Sequence, residues 1–265
     1  MQWGTASSFM AVYEELNVPA FFSTFADLLL DRAQLVEGER VLDVATGTGI
    51  VLRRARERCP RLGAAVGLDL TPGMLEVARE RSGADIEYVE GDATSMAFPD
   101  ASFDVVACHQ GLQFFPERAG ALAEFSRVLS DRGRVVIACW CELTSCPGYQ
   151  AIVDALEVHL PELAGTATNP YSLWDETELR GLLEEAGFEQ VEVERVTADA
   201  RYRSAEELAR AYMQGTPLAI PLAAVDAETK ARIAAAIVER VGATPDGPVS
   251  KTMSTNIAVG VRPER

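Results

Sequence analysis

The sequence predicts an α/β fold: a doubly wound sheet of seven strands with crossover helices and helical insertions over one end. Three observations predict it. From Arg40 to Val136, short apolar runs alternate with stretches of helical periodicity, which is the pattern of parallel strands joined by crossover helices. A glycine-rich turn, Asp43 to Gly49, separates the first apolar run from the first helical stretch. Finally, 265 residues with 48% apolar and 24% charged side chains can bury a large core and lack the composition of a disordered chain.

The elements follow in order. Val41 to Ala45 is a buried strand, and Leu52, Ala55, Cys59 and Leu62 then repeat at three and four residues, so a helix lays that stripe on the sheet. Ala64 to Leu70 is the second strand. Thr71 caps the next helix, whose first-turn Pro72 needs no N–H partner, with Leu75 and Ala78 facing inward. Ile86 to Gly91 and Phe103 to Cys108 are the third and fourth strands. A helix from Pro116 packs through Leu122, Phe125 and Leu129 and ends at Gly133, and Arg134 to Trp140 is the fifth strand. Asp175 with Glu178 forms a capping box for a helix carrying Leu179, Leu182 and Leu183 and closed by Gly187. Val191 to Val196 is the sixth strand. Ser204 with Glu207 is a second capping box, Ile233, Ile237 and Val241 mark a further helix, and the last strand lies around Ile257 to Val261. No linker or repeat divides the chain, so a single domain is expected. Its core is 37–140, 175–203 and 250–263, and its lid is built from 1–30, 142–174 and 204–248.

Charge and cysteines narrow the function classes. With 24 Lys+Arg against 40 Asp+Glu, the net charge of -16 repels phosphate backbones and anionic lipid, so nucleic acid and membrane surfaces are not expected partners. No basic flank precedes Arg32, and no apolar run approaches the roughly 18 residues a bilayer span needs, so a cytoplasmic location is expected. Five cysteines without a C-x-x-C pair or His cluster read as reduced, buried thiols, and no metal is expected. Nothing in the sequence fixes the oligomeric state.

Asp-Val-Ala-Thr-Gly-Thr-Gly (Asp43 to Gly49), between a strand and a helix, lets a ligand approach the backbone at Gly47 and Gly49 and offers the free N–H groups of a helix start. Asp69, about 20 residues on at the end of the second strand, suits a ribose diol. A dinucleotide or an adenosyl cofactor would use both features. The third glycine of a dinucleotide loop is here Leu52, and the first three strands end in Asp43, Asp69 and Asp92. Three carboxylates oppose a pyrophosphate, by about 1 kcal/mol per charge pair at 4 Å even in water. They favour a ligand carrying an amine and a positive sulfur, which points to S-adenosyl-L-methionine rather than NAD.

Val-Leu-Asp-Val-Ala-Thr-Gly-Thr-Gly (41–49), Gly-Leu-Asp-Leu-Thr-Pro-Gly-Met-Leu-Glu-Val-Ala-Arg (67–79), the segment 90–106 and the segment 127–140 together resemble the ordered motifs of class I S-adenosylmethionine-dependent methyltransferases of the type 11, ubiquinone-biosynthesis-like sort. The resemblance is close over 37–140 and elsewhere extends only to element order. It implies a Rossmann-like sheet and, by position, a set of cofactor contacts. Gly47, Thr48 and Gly49 would touch the methionine part, with Asp43 behind them holding the loop or the amine. Asp69 would bind the ribose, with Leu70 and Met74 beside the adenine. Asp92 would accept from the adenine amino group, and Ala93 would donate its N–H to the ring. His109 and Gln110 would lie between cofactor and acceptor. Thr46 departs from the Cys or Gly common in this loop.

Among the two histidines, His109 at a strand end is the candidate catalytic residue, because an imidazole of pKa near 6.5 can take a proton as a methyl arrives. A contact without proton transfer serves equally, since alignment does most of the work of methyl transfer. Tyr13 is a candidate to close over the cofactor, and Phe22, Phe114, Trp140, Tyr149 and Trp174 are candidates to wall an apolar pocket. The expected reaction is transfer of a methyl group to the oxygen or carbon of a small, largely apolar molecule, as in specialised metabolism. Three alternatives stay open: a cyclase or rearrangement enzyme that binds the same cofactor, a nicotinamide-dependent reductase, and a non-catalytic binding partner.

Overall fold

The computed structural model describes residues 6–242 and 247–264, with side chains from Phe9 onward. Residues 1–5 and 243–246 of the expected lid lie outside the described residues. The chain divides into two compact units, one of Phe25–Cys141, Ser172–Val196 and Thr255–Arg265, the other of Met1–Thr24, Glu142–Tyr171 and Thr197–Ser254.

The seven strands are β1 (Arg40–Val44), β2 (Ala64–Asp69), β3 (Glu87–Glu90), β4 (Phe103–His109), β5 (Leu129–Trp140), β6 (Glu189–Tyr202) and β7 (Val249–Val261), in spatial order β3-β2-β1-β4-β5-β7-β6. Neighbours from β3 through β5 pair in parallel, and β7 runs antiparallel to β5 from Arg134↔Val261 to Trp140↔Thr255. The order reverses between β1 and β4, and in such sheets that reversal opens the ligand crevice at the carboxyl ends of the strands.

In the sheet unit the apolar stripes land where the periodicity put them. Leu52 and Ala55 of helix Ile50–Arg58, Leu75 and Ala78 of Pro72–Arg81, Leu122 and Phe125 of Arg118–Val128, and Leu179 and Leu183 of Glu176–Glu185 are all buried. Asp175 caps the last of these by accepting from the N–H groups of Thr177 (2.7 Å) and Glu178 (3.2 Å), and Gly187 closes it at φ +87°. Four elements differ in their boundaries from the sequence reading. The first helix ends at Arg58, leaving Leu62 buried in the loop beyond it. The helix expected over 116–133 stops at Val128, because Leu129 turns extended and pairs with Phe103 as the first residue of β5. Strands β6 and β7 run well beyond the apolar runs that predicted them, through polar residues such as Thr197 and Asp199 in β6 and Ser250 and Lys251 in β7.

The second unit is mainly helical. Tyr13–Phe22 is a π-helical stretch with Pro19 inside it, where the missing proline N–H suits a widened turn. Helix Pro147–His159 lies in the expected lid segment 142–174, for which the sequence reading assigned no particular helix; Pro147 opens it at its first position, and Ile152, Ala155 and Leu156 are buried. Ser204 caps Ala205–Gln214, and Asp226 caps Ala227–Val241. The fully buried Asn17 ties this unit together, donating to the carbonyls of Ala211 (3.2 Å) and Gly215 (2.6 Å) and accepting from the Tyr202 hydroxyl (3.1 Å). No helix among the described residues is long and apolar enough to cross a membrane.

At the amino ends of β1 and β4, Arg40 donates through its backbone N–H (2.9 Å), Nε (3.1 Å) and Nη2 (2.8 Å) to Asp104, which also accepts from Ser130 Oγ at 2.9 Å. The Arg40 hydrogen bonds hold the Asp104 carboxyl down at about 2. A depressed carboxylate stabilises the fold above its unfolded pKa, and that stability is lost as pH falls through the folded value. Asp104→Asn should therefore cost about 1–2 kcal/mol in urea unfolding at neutral pH, and the difference from wild type should vanish near pH 2.

Candidate active site

At the end of β1 the Asp43 side chain is 1% exposed. Its Oδ2 accepts from Thr46 Oγ at 2.6 Å, and its buried Oδ1 has no hydrogen-bond partner. Burial pushes this carboxyl up to about 7; the Thr46 hydrogen bond works against that, and the Asp69 charge adds to it. The loop that follows reverses sharply, with Ala45 at φ +58°, Gly47 at +54° and Gly49 at +81°. Glycine takes that region freely, whereas Ala45 is held there at a cost of about 1–2 kcal/mol.

Asp69, at the end of β2, fastens the loop. Its Oδ2 accepts the Gly47 N–H at 2.8 Å and its Oδ1 accepts the Thr71 N–H at 2.9 Å. Beneath the loop lies Tyr88 of β3, a residue the sequence reading passed over. A Cβ on Gly49 would stand 2.1 Å from the Tyr88 hydroxyl, and one on Gly67 would stand 2.7 Å from the Tyr88 ring. Gly67 is also the register partner of Tyr88, and a glycine inside a strand marks close approach, so this was the available signal. Asp92, after β3, is exposed and accepts from the backbone N–H and hydroxyl of Thr94, both at 2.8 Å, which holds its carboxyl below the usual range.

The other expected cofactor contacts divide by environment. Thr48 is buried, and its hydroxyl oxygen has no hydrogen-bond partner. Leu70 is 69% exposed, Met74 is half-buried in the first turn of Pro72–Arg81, and Ala93 packs against the core. His109, the last residue of β4, is 8% exposed, and burial lowers its pKa to about 3, far from the 6.5 expected of it, so the imidazole is neutral at pH 7. Gln110 takes a left-handed turn at φ +59°. Its side-chain amide donates to Thr255 Oγ (2.9 Å) and accepts from Gln113 Nε2 (3.1 Å).

Of the expected pocket residues in this unit, Phe114 and Trp174 are 41% and 50% exposed, while Trp140 is buried edge-on against Phe25 with ring centroids 5.1 Å apart. In the helical unit, Tyr13 and Phe22 stack at 4.9 Å, and Tyr149 is buried between Tyr171 (5.2 Å) and Tyr212 (5.1 Å). Among the described residues, no three or more His, Cys, Asp or Glu side chains come together in a group able to hold a metal ion.

Comparison with known proteins places this geometry. A methyltransferase-domain family model matches residues 42–137. A demethylmenaquinone methyltransferase of Deinococcus radiodurans is 46% identical over 37% of this chain and 42% of its own length. An aklanonic acid methyltransferase of a Streptomyces species is 37% identical over 47% of this chain and 58% of its own. The chain thus spans about half the length of these two relatives. A ubiquinone/menaquinone biosynthesis C-methyltransferase of Dinoroseobacter shibae is 31% identical over 70% of this chain and 80% of its own length. Among solved structures, a Haemonchus contortus phosphoethanolamine N-methyltransferase in complex with S-adenosylhomocysteine superposes with TM-score 0.64 and 19% identity, covering 98% of this chain and 58% of that one.

A seven-stranded sheet with an antiparallel β7 and a carboxylate-fastened glycine loop at its switch point defines the class I methyltransferase fold. The chain belongs to the S-adenosylmethionine-dependent methyltransferase family. A dinucleotide-binding sheet instead runs parallel in the order 3-2-1-4-5-6, so the reductase alternative loses its structural basis. The residues present fit the family's cofactor: a buried carboxylate oxygen and a buried hydroxyl without protein partners flank a glycine cradle, and a second carboxylate lies on the loop N–H.

Two outcomes follow. Asp69→Ala should weaken binding of S-adenosylhomocysteine about 10- to 100-fold in calorimetry, the loss typical of hydrogen bonds to a charged group. Gly49→Ala should lower the melting temperature by several degrees, since the new methyl group meets Tyr88 and a left-handed backbone at once.

Proposed function

We propose that this chain methylates a ring carbon of a small, largely apolar hydroxylated quinone or phenol, using S-adenosyl-L-methionine. The observation that carries the reading is the pair Asp43 and Asp69, which fasten one glycine loop from the ends of β1 and β2, an acidic cradle suited to a cationic sulfur donor. The relatives named for demethylmenaquinone and for ubiquinone/menaquinone C-methylation support the acceptor class. The cofactor supplies, when bound, a methyl group on a positively charged sulfur.

This chain's residues bind and orient. Asp69 holds the loop N–H and would accept from the ribose hydroxyls; Asp43 and Thr48 offer their unpartnered oxygens to the amino-acid end. Asp92, Leu70, Met74 and Ala93 would border the adenine, and the exposed rings of Phe114 and Trp174 are the acceptor contacts proposed in this unit. His109, held neutral, would offer a contact and little basicity, because a group of pKa about 3 is a poor proton acceptor at neutral pH. An ionised ring hydroxyl makes the neighbouring ring carbon nucleophilic by itself. As the carbon–methyl bond forms the methyl–sulfur bond breaks, the sulfur keeps the electron pair, and the ring-carbon proton passes to water or back to the ring oxygen as the ring rearomatises. The chain's part is therefore alignment.

A second reading, O-methylation of a carboxylic acid, is suggested by the relative named for aklanonic acid. Incubation with labelled cofactor and hydroxylated naphthoquinones, phenols and aromatic acids, followed by mass spectrometry, separates the two. A hydrolysis-stable C-methyl product is expected; a methyl ester would establish the second reading, and rearranged product without added methyl would overturn both. In the same assay His109→Gln should keep more than about a tenth of wild-type kcat, whereas loss of a general base typically removes 10²–10⁴.

A further inference from the structure

Gln110 is the point where β4 gives way to the crevice. It is one of two non-glycine residues at the switch point that hold a left-handed backbone, Ala45 after β1 being the other. The two turns abut: a Cβ on Gly111 would stand 2.6 Å from the Ala45 Cβ and 2.9 Å from the Cys108 sulfur. Such a turn persists only where its surroundings over-determine it. The Gln110 N–H donates to the Ala138 carbonyl at 2.9 Å and its amide to Thr255 Oγ at 2.9 Å; that hydroxyl donates onward to the Cys139 carbonyl at 2.7 Å, while Gln113 Nε2 donates to Gln110 Oε1 at 3.1 Å. One residue therefore pins the end of β4, to β5 through its backbone N–H and to β7 through its side chain.

We propose that Gln110 is a positioning residue: its clamp to Thr255 and Gln113 holds the left-handed turn that keeps His109 buried and Gly111 against the cofactor loop. This deepens the functional reading above and rests on it for its consequence in binding, while its structural half stands alone. The clamp replaces the freedom a glycine would have, so glycine and alanine at this position should behave differently although both delete the amide.

The test compares Gln110→Ala, Gln110→Gly and Thr255→Val. His109 titration is followed by NMR in the free protein, with His159→Gln assigning the second imidazole, and S-adenosylhomocysteine binding by calorimetry. Gln110→Ala should let the turn relax, moving the His109 titration up toward 6.5 and weakening binding about tenfold, the size of one left-handed non-glycine residue. Gln110→Gly, at ease with positive φ, should keep both within about threefold of wild type. Thr255→Val should shift both in the direction of Gln110→Ala even if that variant folds poorly. Equal loss of binding in the alanine and glycine variants would mark a direct ligand contact and overturn the proposal. An unmoved His109 titration in Gln110→Ala and Thr255→Val would overturn it as well. Because the NMR arm involves neither cofactor nor acceptor, its result stands whether or not the chain transfers methyl groups.

Discussion

Two carboxylates fastening one short loop set the rest of this molecule's chemistry. Asp69 holds the loop from the β2 side by accepting the Gly47 N–H, and Asp43 holds it from the β1 side by accepting the Thr46 hydroxyl. They sit close enough for the Asp69 charge to raise the Asp43 carboxyl, and Asp43 is already raised by burial. Burying a negative charge here is expensive, so the Asp43 carboxyl holds its proton toward neutral pH, and the loop geometry relieves only one of its two oxygens.

That arrangement has a thermodynamic sign. With its carboxyl at about 7, folded Asp43 retains a proton that the unfolded chain releases from about pH 4 upward. Its contribution to stability therefore declines as pH rises through that window, the reverse of the Arg40-paired Asp104 at the opposite end of β4. A site that weakens its own fold at working pH is recompensed by a ligand that brings positive charge, and a cationic sulfonium donor with an ammonium group does so. Tyr88 packs beneath the loop, and the proposed Gln110 clamp holds the turn that abuts it.

Much of this was legible in the chain itself. The inner strands β1, β2, β4 and β5 are buried on both faces and so read as plain apolar runs, and the glycines and acids of the β1 and β2 ends stand at fixed spacing. What the sequence hid was set by distant partners. The direction of the Gln110 amide depends on Thr255, 145 residues away, and no local pattern reveals it. The outer stretches of β6 and β7 are mixed polar segments, Thr-Ala-Asp-Ala-Arg-Tyr and Val-Ser-Lys-Thr-Met-Ser, so their length comes from pairing rather than from an apolar run. Helix Pro147–His159 was obscured because a proline marks a start and a stop equally well. The neutral state of His109 needed burial to be known.

The central claim is that the cradle's acidic lining receives a cation, and proton linkage reads it directly. Calorimetric titration of the free protein with S-adenosylmethionine, repeated in buffers of different ionisation enthalpy, counts protons exchanged on binding. If the ligand's positive charge drives Asp43 to ionise, binding near pH 6 should release a proton, the release should fade by about pH 9, and Asp43→Asn should abolish it. Binding enthalpies that do not depend on the buffer at pH 6 would contradict the account.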